Sequence, residues 1–448
     1  MSNTSIPATW ASGPTLDLFY IKGRLGWKGL RASEFQEEGP FLITGTDFVG
    51  GKVDWSRSFH ISDARFIESP EITVQSGDIL ITKDGTIGKV AFIERIPFPG
   101  KASLNSHLFL VRSRSKKIDQ RFAFYIFQSY LFRRFIDTKQ TGSTLSGLPQ
   151  RLFEQFKVPL PPVDQQGQIA EILSTVDEAI AQTEALIAKY QQIKAGLMQD
   201  LFTRGLSPEA SAKGDVTWTL RPTRAQAPHL YKESPLGWIP KEWSSGLLSD
   251  FLLGGPKNGY SPQEVDEWSG LYTLGLGCLT TEGFRPNHLK MVALGSLACH
   301  DALLQDGDFL LSRSNTRELV GLCGIYRDVG CPCIYPDLMM RIRPNRRTST
   351  QFLEALLLSP LMRVRITSAA VGTSGSMVKL NSRAVLRLQL AMPEKDEQAH
   401  ILNLIHAQRD TLMSLECDLA KLCQQKQGLM HDLLTGRVRV KVAETASI

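Results

Sequence analysis

What most constrains this chain is that it repeats itself. Ile6-Pro7-Ala8-Thr9-Trp10-Ala11-Ser12-Gly13 returns 233 residues later as Ile239-Pro240-Lys241-Glu242-Trp243-Ser244-Ser245-Gly246. Gly77-Asp78-Ile79-Leu80 returns after 230 residues as Gly307-Asp308-Phe309-Leu310. Gly196-Leu197-Met198-Gln199-Asp200-Leu201 returns after 232 as Gly428-Leu429-Met430-His431-Asp432-Leu433. Three matches in one order and nearly one register define a tandem duplication. Agreement is uneven. Residues 164–203 and 396–435 share 14 identities in 40, whereas the stretches before them match only in patches. The plan is a variable globular domain followed by a better-matched segment, made twice. The boundaries fall at 1–163 and 239–395 for the domains and at 164–204 and 396–436 for the matched segments. Residues 205–238 are a connector and 437–448 a tail. The connector carries Pro208, Gly214, Pro222, Pro228 and Pro235 among small and polar residues, and is expected to have little core of its own.

The matched segments read as long helices. In the first, Ile169, Leu173, Val176, Ile180, Ile187, Tyr190, Leu197 and Leu201 fall on a four–three spacing that Thr183 and Lys194 complete. The second repeats it with Ile401, Ile405, Leu412, Leu415, Leu419, Leu422, Leu429 and Leu433, completed by Gln408 and Lys426. Eight of ten seam positions are apolar in each, which is coiled-coil periodicity. Each segment follows a proline, with Asp164 or Asp396 as a start signal. A parallel, in-register pair would set Lys194 beside Lys426. An antiparallel pair places them about 21 residues, or roughly 30 Å, apart, so antiparallel packing is expected. The competing reading is that each helix only covers its own domain.

Charge separates the two parts. Residues 1–163 hold 21 Lys and Arg against 15 Asp and Glu, and residues 239–395 hold 17 against 14. Both helices are acidic, with 2 basic against 6 acidic residues in 164–203 and 3 against 6 in 396–435. Basic domains beside acidic helices point to the domains as the parts that meet a polyanion. Within the first domain the basic residues gather as Arg112, Arg114, Lys116, Lys117 and Arg121, then Arg133, Arg134 and Lys139. Within the second they gather as Arg341, Arg343, Arg346 and Arg347, then Arg363 and Arg365. The loops Lys83-Asp84-Gly85-Thr86-Ile87-Gly88-Lys89 and Arg313-Ser314-Asn315-Thr316-Arg317 each follow a short apolar strand. They offer long donors with small hydroxyl and amide groups, the types that meet phosphates and base edges. Candidate nucleic-acid contacts are Lys83, Asp84, Thr86, Lys89, Arg112, Arg114, Lys116, Lys117, Ser143 and Thr144 in the first domain. In the second they are Arg313, Ser314, Asn315, Arg317, Arg341 and Arg343. A charge run can equally be a solvated face, and a surface turn can vary freely.

Catalytic motifs do not appear. Gly45-Thr46-Asp47-Phe48-Val49-Gly50-Gly51-Lys52 fails as a P-loop, because glycine occupies the lysine position and no Ser or Thr follows for Mg²⁺. G-x-S-x-G, H-E-x-x-H and G-x-G-x-x-G are missing, and so is the Asn/Asp-Pro-Pro-aromatic motif of a DNA amino-methyltransferase. Pro336-Asp337 lacks the acid-x-lysine of a restriction-type nuclease. All seven cysteines follow residue 277, and Cys331-Pro332-Cys333 is their only close pair, so reduced thiols are expected and no metal site. No run nears the ~20 apolar residues of a membrane span, and Met1 to Trp10 is unlike a signal peptide, so a cytoplasmic chain is expected.

Phe41-Leu42-Ile43-Thr44-Gly45-Thr46-Asp47 with Gly50-Gly51, Gly77 through Lys89, Leu104-Asn105-Ser106-His107-Leu108 and Gly142-Ser143-Thr144 resemble a known target-recognition domain. It is that of the specificity subunit of type I restriction–modification enzymes. Leu160-Pro161-Pro162 through Gln165-Gln166 to Ile169-Ala170, and the Gly-Leu-Met-x-Asp-Leu ending of both helices, resemble that family's conserved regions. The resemblance covers nearly the full chain. The second domain departs from it, with Asn315 and Arg317 where the first has Gly85 and Ile87, and with Gly275-Leu276-Gly277-Cys278 in place of the usual strand. The fold implied is α+β: two target-recognition domains in tandem duplication, joined by two long antiparallel coiled-coil helices with pseudo-twofold symmetry. The function implied is recognition of a bipartite double-stranded DNA target, one half per domain. The helices would set the gap and dock two methyltransferase subunits, and two motor-nuclease restriction subunits would complete the enzyme. S-adenosylmethionine, ATP and Mg are then expected on those partners, with no cofactor on this chain and no membrane partner. A non-enzymatic coiled-coil adaptor, or a recognition subunit of a related methylation-only defence system, are the alternatives.

Overall fold

A computed structural model of the chain describes residues 7–24, 31–140, 147–210, 216–293, 301–372 and 377–441. The chain divides into two compact units, one of residues 1–185 with 416–448, the other of residues 186–415. Each unit therefore takes one globular domain, the first half of one long helix and the second half of the other. The long helices run Val163–Thr203 and Lys395–Leu434, within two residues of the expected bounds.

In the first unit a four-stranded antiparallel sheet runs in the order Phe19–Gly23, Leu108–Ser113, Ile79–Thr82, Val90–Phe92. Ile79, Ile81, Phe109 and Val111 face a core shared with the helices Gln120–Gln128 and Tyr130–Gln140. Leu80, Leu108 and Leu110 face another core, with Phe41, Ile43, Ala102 and Leu104. Because both faces are covered, Ile79-Leu80-Ile81 reads as an unbroken apolar run and not as an alternation.

The second unit repeats the plan, with strands Lys257–Asn258, Met339–Ile342, Phe309–Ser312 and Cys323–Ile325 in that order, all antiparallel. Phe309, Leu311, Met340 and Ile342 face Phe352, Leu353 and Ile366 of the helices Thr350–Leu358 and Pro360–Ala369. Leu310 and Met339 face a second core. The departure at Gly275 is in sequence only, since Leu276–Cys278 forms a tight 3₁₀ turn after a strand, as Gly45–Asp47 does.

The helix seams hold in both units. In the first, Ile169 and Leu173 share a core with Leu433 and Leu434, while Asp177 meets Lys426 at 2.6 Å. Position rises on one helix as it falls on the other, so the pair is antiparallel. In the second unit, Leu201 and Phe202 share a core with Ile401 and Leu402. Each helix is also fastened to its own domain by one buried glutamine. Gln166 accepts from Asp119 N at 2.8 Å and donates to the carbonyls of Lys117 and Pro161. Gln398 does the same with Ser349 N, Arg347 and Pro393.

The connector differs from expectation. It folds into two hairpins, Leu206–Ala210 with Val216–Leu220 and Tyr231–Ser234 with Gly237–Pro240. Leu206, Ala227, Tyr231 and Ile239 are buried. A two-stranded ribbon leaves half its N–H groups outside the ladder, so it tolerates prolines that suggested a linker. Arg221, also buried, meets Glu397 at 3.4 Å. Glu397 accepts in addition from Leu206 N at 2.8 Å and from Trp243 Nε1 at 3.0 Å. Burial raises the Glu397 carboxyl above its ordinary pKa, against the pull of Arg221. Among the described residues no helix is long and apolar enough to cross a membrane.

Candidate nucleic-acid interface

The two candidate loops occupy the same place in the two units. Loop 83–89 leaves the strand Ile79–Thr82, turns, and re-enters as Val90–Phe92. Thr82 fastens it: its N–H donates to Lys89 O and its carbonyl accepts from Gly88 N, each at 2.9 Å. The Thr82 hydroxyl also accepts from Lys89 N and donates to Thr86 O. Lys83 N donates to His107 O, and Lys83 O accepts from Leu148 N. Ser312 holds loop 313–322 by the same backbone pair, donating to Leu322 O and accepting from Gly321 N, each at 2.7 Å. Arg313 N donates to Leu338 O, and Arg313 O accepts from Leu380 N. Thr82 and Ser312 stand 230 apart, Gly88 and Gly321 233 apart. The second loop is thus three residues longer on one scaffold, and counterparts between Gly85 or Ile87 and Asn315 or Arg317 cannot be drawn residue for residue.

Side chains at the loops differ. In the first unit Thr86 and Lys89 are exposed, while Lys83 and Asp84 are half-buried. The Lys83 ammonium lies 5.4 Å from the centre of the Phe109 ring, and Asp84 Oδ2 lies 3.2 Å from His107 Nδ1. In the second unit Arg317 is exposed and donates to Thr367 O at 3.4 Å, and Arg313 donates to Asp337 O at 3.5 Å. Asn315 is half-buried, its Oδ1 accepting from Thr316 N. Ser314 corrects an expectation. It is 1% exposed and pairs with Lys379 in a two-stranded ribbon, so its hydroxyl does not face solvent.

The basic clusters need a larger correction. Arg112 donates to both carboxylate oxygens of the buried Asp78 at 2.7 Å and to Thr73 O. That hydrogen-bonded pair raises the guanidinium pKa further. Arg341 stands in the corresponding place, donating to one carboxylate oxygen of Asp308 at 3.0 Å and to the carbonyls of Leu303 and Asp301. These arginines clamp the Gly-Asp turn at the start of the central strand and do not offer free charge. Arg114 donates to Leu16 O. Lys116, Lys117 and Arg343 are exposed, but they follow the far ends of the strands Leu108–Ser113 and Met339–Ile342. At about 3.3 Å per residue, five strand residues separate Arg112 from the Lys83 end by roughly 15 Å. The loops and the 112–117 and 341–343 clusters therefore lie at opposite ends of the sheet. Ser143 and Thr144 lie outside the described residues.

Beside Lys379, which pairs with Ser314, two further basic residues stand at the loops: Arg133 at the first and Arg363 at the second. The sequence placed both in basic clusters but not among the candidate contacts. Arg133 Nη1 donates to Ile87 O at 3.3 Å and Arg363 Nη2 to Glu318 O at 2.9 Å. Their spacing of 230, the same as Asp78 to Asp308, is the signal that could have marked them. Among the described residues no group of three or more His, Cys, Asp or Glu could hold a metal ion. The six described cysteines are free thiols.

Two copies of one sheet-and-loop scaffold, each fastened to a long helix, define a duplicated α+β architecture. Residues 26–194 match the family model of the type I restriction modification DNA specificity domain. The chain is 26% identical to the EcoKI specificity subunit of Escherichia coli K12, over 98% of this chain and 91% of that one. It is 25% identical to the MjaVIII specificity subunit of Methanocaldococcus jannaschii, over 84% and 82% of the two chains. Its fold is shared, at 15% identity and a TM-score of 0.59, with a chain from a structure on complex assembly in the type I R-M system, covering 97% of this chain and 99% of that one. The chain is thus similar to type I restriction enzyme specificity subunits over nearly its whole length.

Proposed function

We propose that each unit reads one half of a bipartite double-stranded DNA target with the loop end of its central sheet. One observation carries this: the loop anchors repeat in both copies while length and exposed side chains change between them. A fixed scaffold with a variable tip is what two readers of different sequences require. Lys83, Thr86 and Lys89 serve the first half-site, and Arg313, Asn315 and Arg317 the second. The long helices set the gap and dock two methyltransferase subunits, and two restriction subunits complete the assembly. S-adenosylmethionine, ATP and Mg belong to those partners, and this chain contributes recognition alone.

The test is methylation of a randomised DNA library by the complex of this chain with its methyltransferase subunits. Changing Lys83 and Lys89 to Ala together should relax or weaken one half of the methylated sequence, and Arg317→Ala the other half. If both halves change in each variant, recognition is shared between the units. If the complex methylates without sequence preference, the chain is an adaptor.

A further inference from the structure

We infer that Arg133 and Arg363 are positioning residues that hold the recognition loops in reading geometry without themselves reading bases. The inference rests on the proposed DNA-reading role of those loops. Both arginines sit one turn into a helix that opens at a buried serine. Ser129 and Ser359 each donate to the carbonyl three residues back, Ile126 O and Leu356 O, at 2.6 Å. Arg133 N and Arg363 N then donate to the carbonyls of those serines. This break-and-restart aims the first turn of the new helix at the loop in each unit.

Three residues on, Ile136 and Ile366 are buried against the loop glycines. A Cβ on Gly88 would stand 2.7 Å from Ile136 Cδ1, and one on Gly321 would stand 2.2 Å from Ile366 Cγ2. Both glycines hold positive φ, 81° and 72°. The helix thus presents an Arg-x-x-Ile edge: the isoleucine seats on the glycine and the arginine donates to a loop carbonyl. Every contact is to backbone or to a missing side chain. Such a clamp is indifferent to loop sequence, and here it serves loops that differ by three residues in length. In the second unit burial lowers the Arg363 pKa, as expected for a guanidinium drawn in against the loop. A free surface arginine would be solvated instead.

The experiment uses the full chain with its methyltransferase subunits and measures binding to duplexes that are matched, or mismatched at one base pair in either half-site. Arg133→Ala should reduce discrimination at one half-site about tenfold, on the scale of a single base pair, and leave the other half intact. Arg363→Ala should do the reverse. Arg133→Lys and Arg363→Lys, which keep a donor for the carbonyl, should recover part of the discrimination. Hydrogen exchange of the Gly88 and Gly321 amides should quicken in the matching Ala variant, reporting on the clamp without DNA. An equal loss of affinity for matched and mismatched DNA would make these arginines phosphate contacts and overturn the inference. So would unchanged exchange with unchanged discrimination. A wild-type complex that does not discriminate would overturn the DNA-reading role first, and that is seen before any substitution.

Discussion

Arg112 and Arg133 are both arginines in basic runs, yet the structure gives them different tasks. Arg112 compensates Asp78, whose side chain is 1% exposed, and Arg341 compensates Asp308. Removing Arg112 strands a buried carboxylate, so Arg112→Ala should cost about 3 kcal/mol, and Arg341→Ala should cost less because the Asp308 side chain is 13% exposed. Urea denaturation should show this loss, while the methylated sequence of the surviving folded complex stays unchanged. The sequence shows where charge clusters but not which charges a buried partner already holds, because Asp78 and Arg112 are 34 residues apart. Glu354 gives a second test. Its carboxylate accepts from Ile325 N at 2.9 Å, and burial raises its pKa above the ordinary 4.5. The folded state then holds this proton more tightly than the unfolded chain does. Stability from this group is present below about 4.5 and falls as pH rises through the raised value. Glu354→Gln keeps an acceptor and cannot ionise, so a stability–pH profile of the variant should lose that slope. An identical profile would mean that the carboxyl does not titrate in this window.

At the scale of elements, the helices were the most legible part, because a seam sustained for ten positions has only one good packing solution. Every seam position from Ile169 to Leu201 and from Ile401 to Leu433 is buried or half-buried. The direction of packing was legible through Lys194 and Lys426 alone, and Lys426 now has its partner in Asp177. The first hairpin of the connector was illegible, since it is tied down by Glu397, which takes Leu206 N and Arg221 from 191 and 176 residues away. The helix ends were only half legible. Gly205 and Gly436 each take positive φ just beyond a helix, at 62° and 71°. Each also leaves room for the tryptophan of the Ile-Pro repeat, Trp243 in one case and Trp10 in the other. A Cβ on Gly205 would stand 2.5 Å from the Trp243 ring and 2.1 Å from Glu397 Oε1. Gly205→Ala should therefore cost about 1 kcal/mol for the left-handed backbone and roughly 1–3 more for overpacking. Gly254→Ala, at φ 80° with nothing within 4 Å, should cost only the first part. Equal thermal shifts for the two variants would show that the tryptophan contact contributes nothing.

Across the whole molecule, the duplication does more than supply two domains. Each compact unit draws on both copies, so neither copy closes its core alone: Leu433 and Leu434 of the second helix complete the core of the first domain, and Leu201 and Phe202 of the first helix complete that of the second. The two long helices are thus shared elements, and the proposed function makes their length a determinant of the gap between half-sites. One matched heptad inserted midway in both helices keeps the seam in phase and adds about 10 Å to each. At roughly 3.4 Å per base pair the preferred gap should grow by at most about 3 base pairs, and by less if the helices run oblique to the DNA. A four-residue insertion in both should do worse, since it introduces a stutter that turns the seam out of register. Target libraries of varied gap, methylated in the presence of the partner subunits, measure the preference directly. A folded and active heptad variant that keeps the original gap would remove the helices from that role and leave spacing to the partner subunits.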